Sequence, residues 1–330
     1  MLPGFQMKRS QIFCSCLLGI TLMVFLVLNI VMSICSSFGK TTLTSVCSSL
    51  GMTTLTLLTY NQFLSMWSNE SKTLKTTVPL FLWRTGWHQL SELPDEIVNS
   101  MFTFTEMAPR WIQVYCTDSD QENFLREFFP SALEPWMSLH APAFRADLWR
   151  LLVLENFGGL YIDLPQRLLQ PLDTLFDPDK DQFICVLDRI GPNKVPRLYQ
   201  AILGAYPHHP LIVAMINKVL NNVRSKSYGE DAFDITGPTA VGRAVLEVLN
   251  THQLPPVGKN EILNPLIGDN NIIKMSVLKH EGDFRVVGLD GSTQVFQTKF
   301  QTYDKIMYSG QREGKRYGTL WADRKVYGES

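Results

Sequence analysis

Asp147 and Arg150 stand three residues apart in a stretch, 144–156, that is otherwise largely apolar and helical in pattern. That spacing puts both on one helix face. Burial in an apolar helix obliges each to find a partner, because an unpaired buried charge is costly. Gly158-Gly159 then stop the helix, and a short apolar run, 160–162, ends in Asp163. A carboxylate at the end of a strand in an α/β sheet faces the crevice where such sheets bind ligands. The chemistry open to Asp163 in that place is contact with a bound ligand. The alternative role of Asp147 and Arg150 is a helix ion pair worth about 0.2 to 0.5 kcal/mol, and that of Tyr161 is a core tyrosine.

The elements that would position these residues alternate in type. Residues 78–83, 111–116, 160–162 and 183–187 read as buried strands, and 95–105, 120–129, 144–156, 210–223 and 238–250 as helices. Strands alternating with helices predict an α/β fold with a mostly parallel sheet flanked by helices. Ser119 with Glu122 forms a capping-box pattern at a helix start. Past residue 250 the chain is Gly-rich and weakly periodic.

Other chemistries lack their residues. There is no G-x-S-x-G or H-E-x-x-H, and no Cys/His spacing for zinc. Residues 310–315 imitate a phosphate loop with one residue too few, and Arg316 stands where Ser or Thr is needed. His208 and His209 are adjacent and cannot chelate a metal as a helical i, i+4 pair does. With 45% hydrophobic residues and a net charge of -1, the chain can pack a core and offers no field to a polyanion, which excludes a nucleic-acid partner. Cys116 and Cys185 lie in apolar runs and read as buried free thiols.

Residues 12–34 carry no charge and are long enough to cross a ~30 Å hydrocarbon layer as a helix. Lys8 and Arg9 precede them, which favours a cytosolic tail, 1–11, and a body on the far side. A cleaved signal peptide is the other reading of this run, although its apolar core is longer than usual. A Ser/Thr-rich stem is expected over 35–77, with an N-glycosylation acceptor at Asn69, and the folded body over 78–330. Residues 41–67 are also uncharged; read as a second span, they would return the body to the cytosol.

The strings Phe144-Arg145-Ala146-Asp147-Leu148-Trp149-Arg150 and Gly158-Gly159-Leu160-Tyr161-Ile162-Asp163 resemble the glycosyltransferases with a DXD sugar-nucleotide motif. These include fungal α-1,6-mannosyltransferases, inositolphosphoceramide mannosyltransferases and α-1,4-galactosyltransferases, with clostridial toxin glucosyltransferases more distant. The likeness covers about residues 78–250. It implies a GT-A-type, Rossmann-like fold and a membrane-anchored enzyme of the Golgi or endoplasmic reticulum. Such an enzyme moves a hexose from a nucleotide sugar to a glycan or glycolipid, with retention of configuration. It also implies that Asp147 and Arg150 contact the donor's sugar and phosphates, that Tyr161 lines the site, and that Gln200 turns an amide toward it. Trp83 resembles an aromatic that stacks on the donor base, and equally a core tryptophan. In the family a divalent cation, Mn2+ above all, neutralises the leaving diphosphate through two carboxylates on alternate residues. Here the first is Asp163, and the second position is Pro165. The departure implies a weakly bound cation, with Asp188 as an auxiliary ligand, or a binding-only relative without activity. Substitution of Arg150 or Asp163 is expected to lower turnover far more than stability.

Overall fold

In the computed structural model the described residues are 57–67, 77–86, 89–263, 272–282, 284–300, 302 and 317–328. They belong to one unit, Leu55–Ser330. The expected membrane span, cytosolic tail, Asn69 and four of the six cysteines lie outside them. Among the described residues no helix is long and apolar enough to cross a membrane.

The chain opens with β1 (Leu57–Thr59), α1 (Tyr60–Trp67), β2 (Phe81–Thr85), α2 (Asp95–Met107), β3 (Ile112–Cys116), α3 (Asp118–Phe128), α4 (Pro130–Ser138) and α5 (Pro142–Phe157). It continues with β4 (Gly159–Ile162), β5 (Arg167–Leu168), α6 (Leu172–Leu175), β6 (Phe183–Leu187), β7 (Ile202–Ala205), α7 (Pro210–Arg224) and α8 (Pro238–Leu249). The last elements are β8 (Gly258–Leu263), β9 (Ile272–His280), β10 (Arg285–Val287), β11 (Gln294–Gln297) and α9 (Tyr317–Ala322).

Among the described residues eleven strands join one sheet in the order β1-β3-β2-β4-β7-β6-β9-β10-β11-β5, with β8 beside β9. β1, β3, β2 and β4 run parallel, as do β6 and β9, whereas β7 opposes both β4 and β6. β8, β10, β11 and β5 add antiparallel pairs. The sheet is therefore mixed, and the expectation of a mostly parallel one is corrected by β7 and by the strands past residue 250. Those strands fold as hairpin-like neighbours of β9, a pairing that needs tertiary partners and leaves little periodic trace in sequence.

Two further expectations change. β1 pairs with β3, and α1 buries Tyr60 and Phe63 in the core, so the stem does not extend to residue 77 and residues 57–67 are part of the body. They are thus not part of a second span. At α3 the cap is Thr117, whose hydroxyl accepts from the Asp120 N–H at 3.2 Å while Asp120 Oδ2 accepts from the Thr117 N–H at 2.8 Å. The capping box is real but starts two residues earlier than Ser119.

α5 is the central helix of one core face. Pro142 opens it, where no hydrogen bond is lost. Leu148, Trp149, Leu151, Leu152, Val153 and Leu154 are all fully buried. Gly158, at φ 66°, closes it, and Gly159, at φ 101°, starts β4. A Cβ on Gly158 would sit 2.9 Å from the Ala205 carbonyl, and one on Gly159 would sit 2.7 Å from that of Phe81. Glycine is thus required at both positions, by conformation and by space. The pair turns the chain so that β4 begins directly beneath the end of α5, and Arg150 and Asp163 meet.

Candidate functional site

β2 and β4 run the same way, so their carboxyl ends share one edge of the sheet. β7 runs oppositely, and its start, next to Gln200, lies at that same edge. Asp163 leaves β4 there. Its N–H donates to the Ala201 carbonyl at 2.9 Å, and its own carbonyl accepts from the Gln166 N–H at 3.2 Å and from Arg84 Nη1 at 3.1 Å. The main chain of Asp163 is thereby fixed by β7, by its own turn and by β2.

Its carboxylate is about a third exposed, at 35%. Oδ1 accepts from the Tyr161 hydroxyl at 2.7 Å and lies 3.6 Å from Arg150 Nη2. The same Nη2 is 3.1 Å from Asp147 Oδ1, and the guanidinium lies 4.5 Å from the centre of the Tyr161 ring. Asp147 Oδ2 accepts from Thr236 Oγ1 at 2.8 Å and from the Tyr317 hydroxyl. Gln200 Nε2 donates to the Thr236 carbonyl at 3.2 Å. One network thus runs from the buried Gln200 and Thr236 through Asp147 and Arg150 to the partly open Asp163.

Burial sets the electrostatics. Asp147 is pushed up to about 6, chiefly by desolvation, against the opposing pull of Arg150, Tyr317 and Thr236. Arg150 is buried, which alone would favour its neutral form, but Tyr161, Asp163 and Asp147 around it hold its proton more tightly than usual. Tyr161 is raised well above the ordinary phenol range by burial. The cluster therefore works as a fixed guanidinium between two carboxylates. Asp163 is its solvent-facing member.

The structure brings Asp147, Arg150, Tyr161, Asp163 and Gln200 together and leaves Trp83 apart. Trp83 is fully buried, its Nε1–H donates to the Gly158 carbonyl at 2.7 Å, and its ring packs against Phe63 and Phe157. No ring face remains for a base, so of its two expected roles the core one holds. Alternation along β2 sends Trp83 to one face of the sheet and Arg84 to the other. Arg84 is fully buried, with Nε on Gln113 Oε1 at 3.1 Å, and desolvation lowers it to about 9.

The residues present do not fit a resident divalent cation. Pro165 is buried and has no side-chain acceptor, and Oδ1 of Asp163 is already engaged by Tyr161 and Arg150. Asp188, the expected auxiliary ligand, is held by His280 Nδ1 at 2.9 Å; burial opposes its charge, but that hydrogen bond keeps it below the usual carboxylate range. Among the described residues no group of three His, Cys, Asp or Glu could hold a metal. No step proposed below runs through one.

Sequence reasoning missed three members of the site. Arg84 follows the apolar run 78–83 and Thr236 precedes the helical run 238–250, and neither carries a signal of its own in the sequence. Tyr317 lies 170 positions from Asp147 in a tail without periodicity, and only the fold reveals their meeting.

Residues 62–182 match the family described as glycosyltransferase sugar-binding region containing DXD motif. This part of the chain, less than half of it, runs from within α1 to just before β6, includes Asp147, Arg150, Tyr161 and Asp163, and is similar to the glycosyltransferases with that motif. Among individual proteins, the chain is similar to mannosyl phosphorylinositol ceramide synthase CSH1 of Saccharomyces cerevisiae, with 24% identity over 132 residues, 40% of this chain and 33% of that protein. It is also similar to inositol phosphoceramide mannosyltransferase 2 of Schizosaccharomyces pombe, with 27% identity over 143 residues, 43% of this chain and 38% of that protein. The match therefore spans well under half the length of these relatives. A solved structure, the PaToxG glycosyltransferase, overlays with a TM-score of 0.37 and 15% identity over 52% of this chain and 70% of that one.

Proposed function

We propose that the protein is a membrane-anchored hexosyltransferase whose body binds a nucleotide sugar at the carboxyl edge of the sheet and transfers the hexose, with retention, to a glycolipid. The observation that carries this reading is Asp163, a partly open carboxylate fixed by Tyr161 and Arg150 within the matched region. A diphosphate leaving group develops negative charge as the glycosidic bond breaks, and a preorganised guanidinium stabilises such charge more than water does. Arg150 supplies the guanidinium. Asp163 is placed to hold a ribose or sugar hydroxyl. The names of the relatives make a mannose donor and an inositolphosphoceramide acceptor the first pair to test.

A divalent cation such as Mn2+ would come with the donor rather than reside in the protein; Asp163 would be the carboxylate available to it, and its chemistry would be neutralisation of the diphosphate charge. For topology, we propose a cytosolic tail, 1–11, a span over 12–34 and a stem ending before β1, which places the body in the lumen of the Golgi or endoplasmic reticulum. The charge pattern around residues 12–34 and the acceptor at Asn69 support this reading. An endoglycosidase-sensitive mass shift lost in Asn69→Gln tests it, and protease access to the body in sealed microsomes would refute it.

The functional test is a panel of nucleotide sugars offered to the full chain in detergent, with and without Mn2+, reading donor hydrolysis and transfer to inositolphosphoceramide. Failure to bind or hydrolyse any donor refutes the transferase reading. Donor binding without turnover supports the second reading, a pseudoenzyme acting as a binding subunit, which Pro165 in place of the second carboxylate favours.

A further inference from the structure

Tyr317 belongs to no motif of the sequence and lies outside the region that matches the family, yet its hydroxyl reaches the most buried carboxylate of the site. We propose that Tyr317 is a positioning residue of the donor site: by donating to Asp147 Oδ2 it keeps Asp147 turned so that Oδ1 stays on Arg150, and through Arg150 it sets the place of Asp163. This rests on the reading that Arg150 and Asp163 serve a nucleotide sugar.

The geometry leaves little slack. Asp147 is 5% exposed, so water does not readily replace a lost donor. Its three side-chain partners come from three parts of the chain: Arg150 on its own helix, Thr236 from the turn before α8, and Tyr317 from α9. The Thr236 hydroxyl also lies 3.1 Å from that of Tyr317, so the two share the work on Oδ2. Thr236 alone cannot cover both lone pairs of that oxygen. The Tyr317 ring is held independently of its hydroxyl, with ring centres 4.0 Å from Phe144 and 5.5 Å from Phe233. Phenylalanine at this position would keep the packing and lose only the hydrogen bond.

The titratable and charged groups facing Asp147 are Arg150 on α5, Tyr161 on β4, Asp163 beyond β4 and Tyr317 on α9, with the Thr236 hydroxyl as a neutral donor. Removing a donor that favours the charged form raises the carboxyl further from its already elevated position. The variant should therefore lose more activity at pH 6.5 than at pH 8.

The test compares wild type, Tyr317→Phe and Tyr327→Phe as full chains in detergent. Tyr327 lies in the same C-terminal stretch and bonds the Ser227 carbonyl, away from Asp147. Two quantities are read: donor turnover against pH, and the carboxyl 13C titration of Asp147, assigned with Asp147→Asn. The net contribution of a hydrogen bond to a charged group corresponds to about 10-fold or more in rate, so kcat of Tyr317→Phe should fall by about 10-fold, with KM little changed and the acid limb moved up. The Asp147 titration should move up with it, while Tyr327→Phe stays as wild type. Three results would overturn the proposal: titration and pH profile unchanged in Tyr317→Phe, the same changes in Tyr327→Phe, or a lower donor KM at unchanged kcat, which would mean that the hydroxyl competes with the donor. If wild type turns over no nucleotide sugar, the functional reading fails, and the 13C titration alone decides whether Tyr317 governs Asp147.

Discussion

Arg150→Ala should cost stability as well as turnover, a correction to the expectation from sequence, because the structure buries Arg150 against Asp147. Arg150 and Asp147 are both 7% exposed in their side chains and lie 3.1 Å apart. Removing the guanidinium leaves Asp147 with two neutral donors and no cation, and breaking a buried pair in this way costs about 3 to 5 kcal/mol. Part of that cost is avoidable by protonation. Asp147 sits at about 6 in the folded protein, above its ordinary value of 3.8, and loss of Arg150, which lowers it, must raise it further. At pH 5 the folded carboxyl is neutral with or without Arg150, and the loss of stability is smaller. As pH rises past about 6 the wild-type group ionises against its partner while the variant either stays protonated or ionises unpaired, at about 1.4 kcal/mol per unit of further shift. The difference between the proteins therefore widens with pH until the variant's own midpoint is passed. At pH 8 a loss of about 4 kcal/mol corresponds to roughly 8 to 16 °C in Tm for a domain of this size class. Thermal and urea unfolding of both proteins at pH 5 and pH 8 measure it, with Asp147→Asn/Arg150→Ala as the rescue. An equal loss at both pH values, or a double variant no more stable than Arg150→Ala, would refute the buried-pair argument.

Asp163→Asn should behave oppositely: its carboxylate is 35% exposed, so unfolding shifts by under about 1 kcal/mol while donor turnover falls by a far larger factor, and normal activity per folded molecule would count against the site. Turnover of the wild type should decline below about pH 6 as Asp147 takes up its proton, which a pH profile of kcat checks. Trp83→Ala should cost about 3 to 5 kcal/mol of stability, as large core truncations do, whereas the milder Trp83→Phe should leave donor affinity in calorimetry as it is in wild type. Pro165→Asp should lower the Mn2+ concentration for half-maximal turnover at some cost in Tm, because position 165 is buried; an unchanged Mn2+ response in the folded variant would show that this position does not reach the donor.

Between residues 78 and 250, β2, β3, β4 and β6 and helices α2, α3, α5, α7 and α8 were legible because each carries its own signal, whereas α4, β5, α6 and β7 were not read. Pro142 opens α5 and Gly158 closes it, and the apolar run of β6 has no other use. Asp147, Arg150 and Asp163 stood out because burial of a charged helix face demands partners and the end of a strand faces the ligand side, whereas Tyr161 entered through the resemblance alone. The direction of β7 was not legible, since a four-residue strand, Ile202–Ala205, reads the same parallel or antiparallel. Trp83 was ambiguous for a similar reason: a tryptophan in a strand serves a core or a ligand, and only the packing of Phe63 and Phe157 decides. The contribution of α9 depends on contact across the whole body, which no local pattern encodes.

The position of Tyr317 also sets a timetable. A ribosome adding about 5 to 20 residues each second releases Thr236 some 4 to 16 seconds before Tyr317, so α5 and its ion pair must wait in the emerging chain with one donor of Asp147 not yet made. During that interval the carboxylate is better kept protonated or wet than sealed, and the helix that carries it cannot settle to its final stability. Of the three side-chain partners of Asp147, Tyr317 is the last to leave the ribosome, so this network is completed in the order in which the chain is read out.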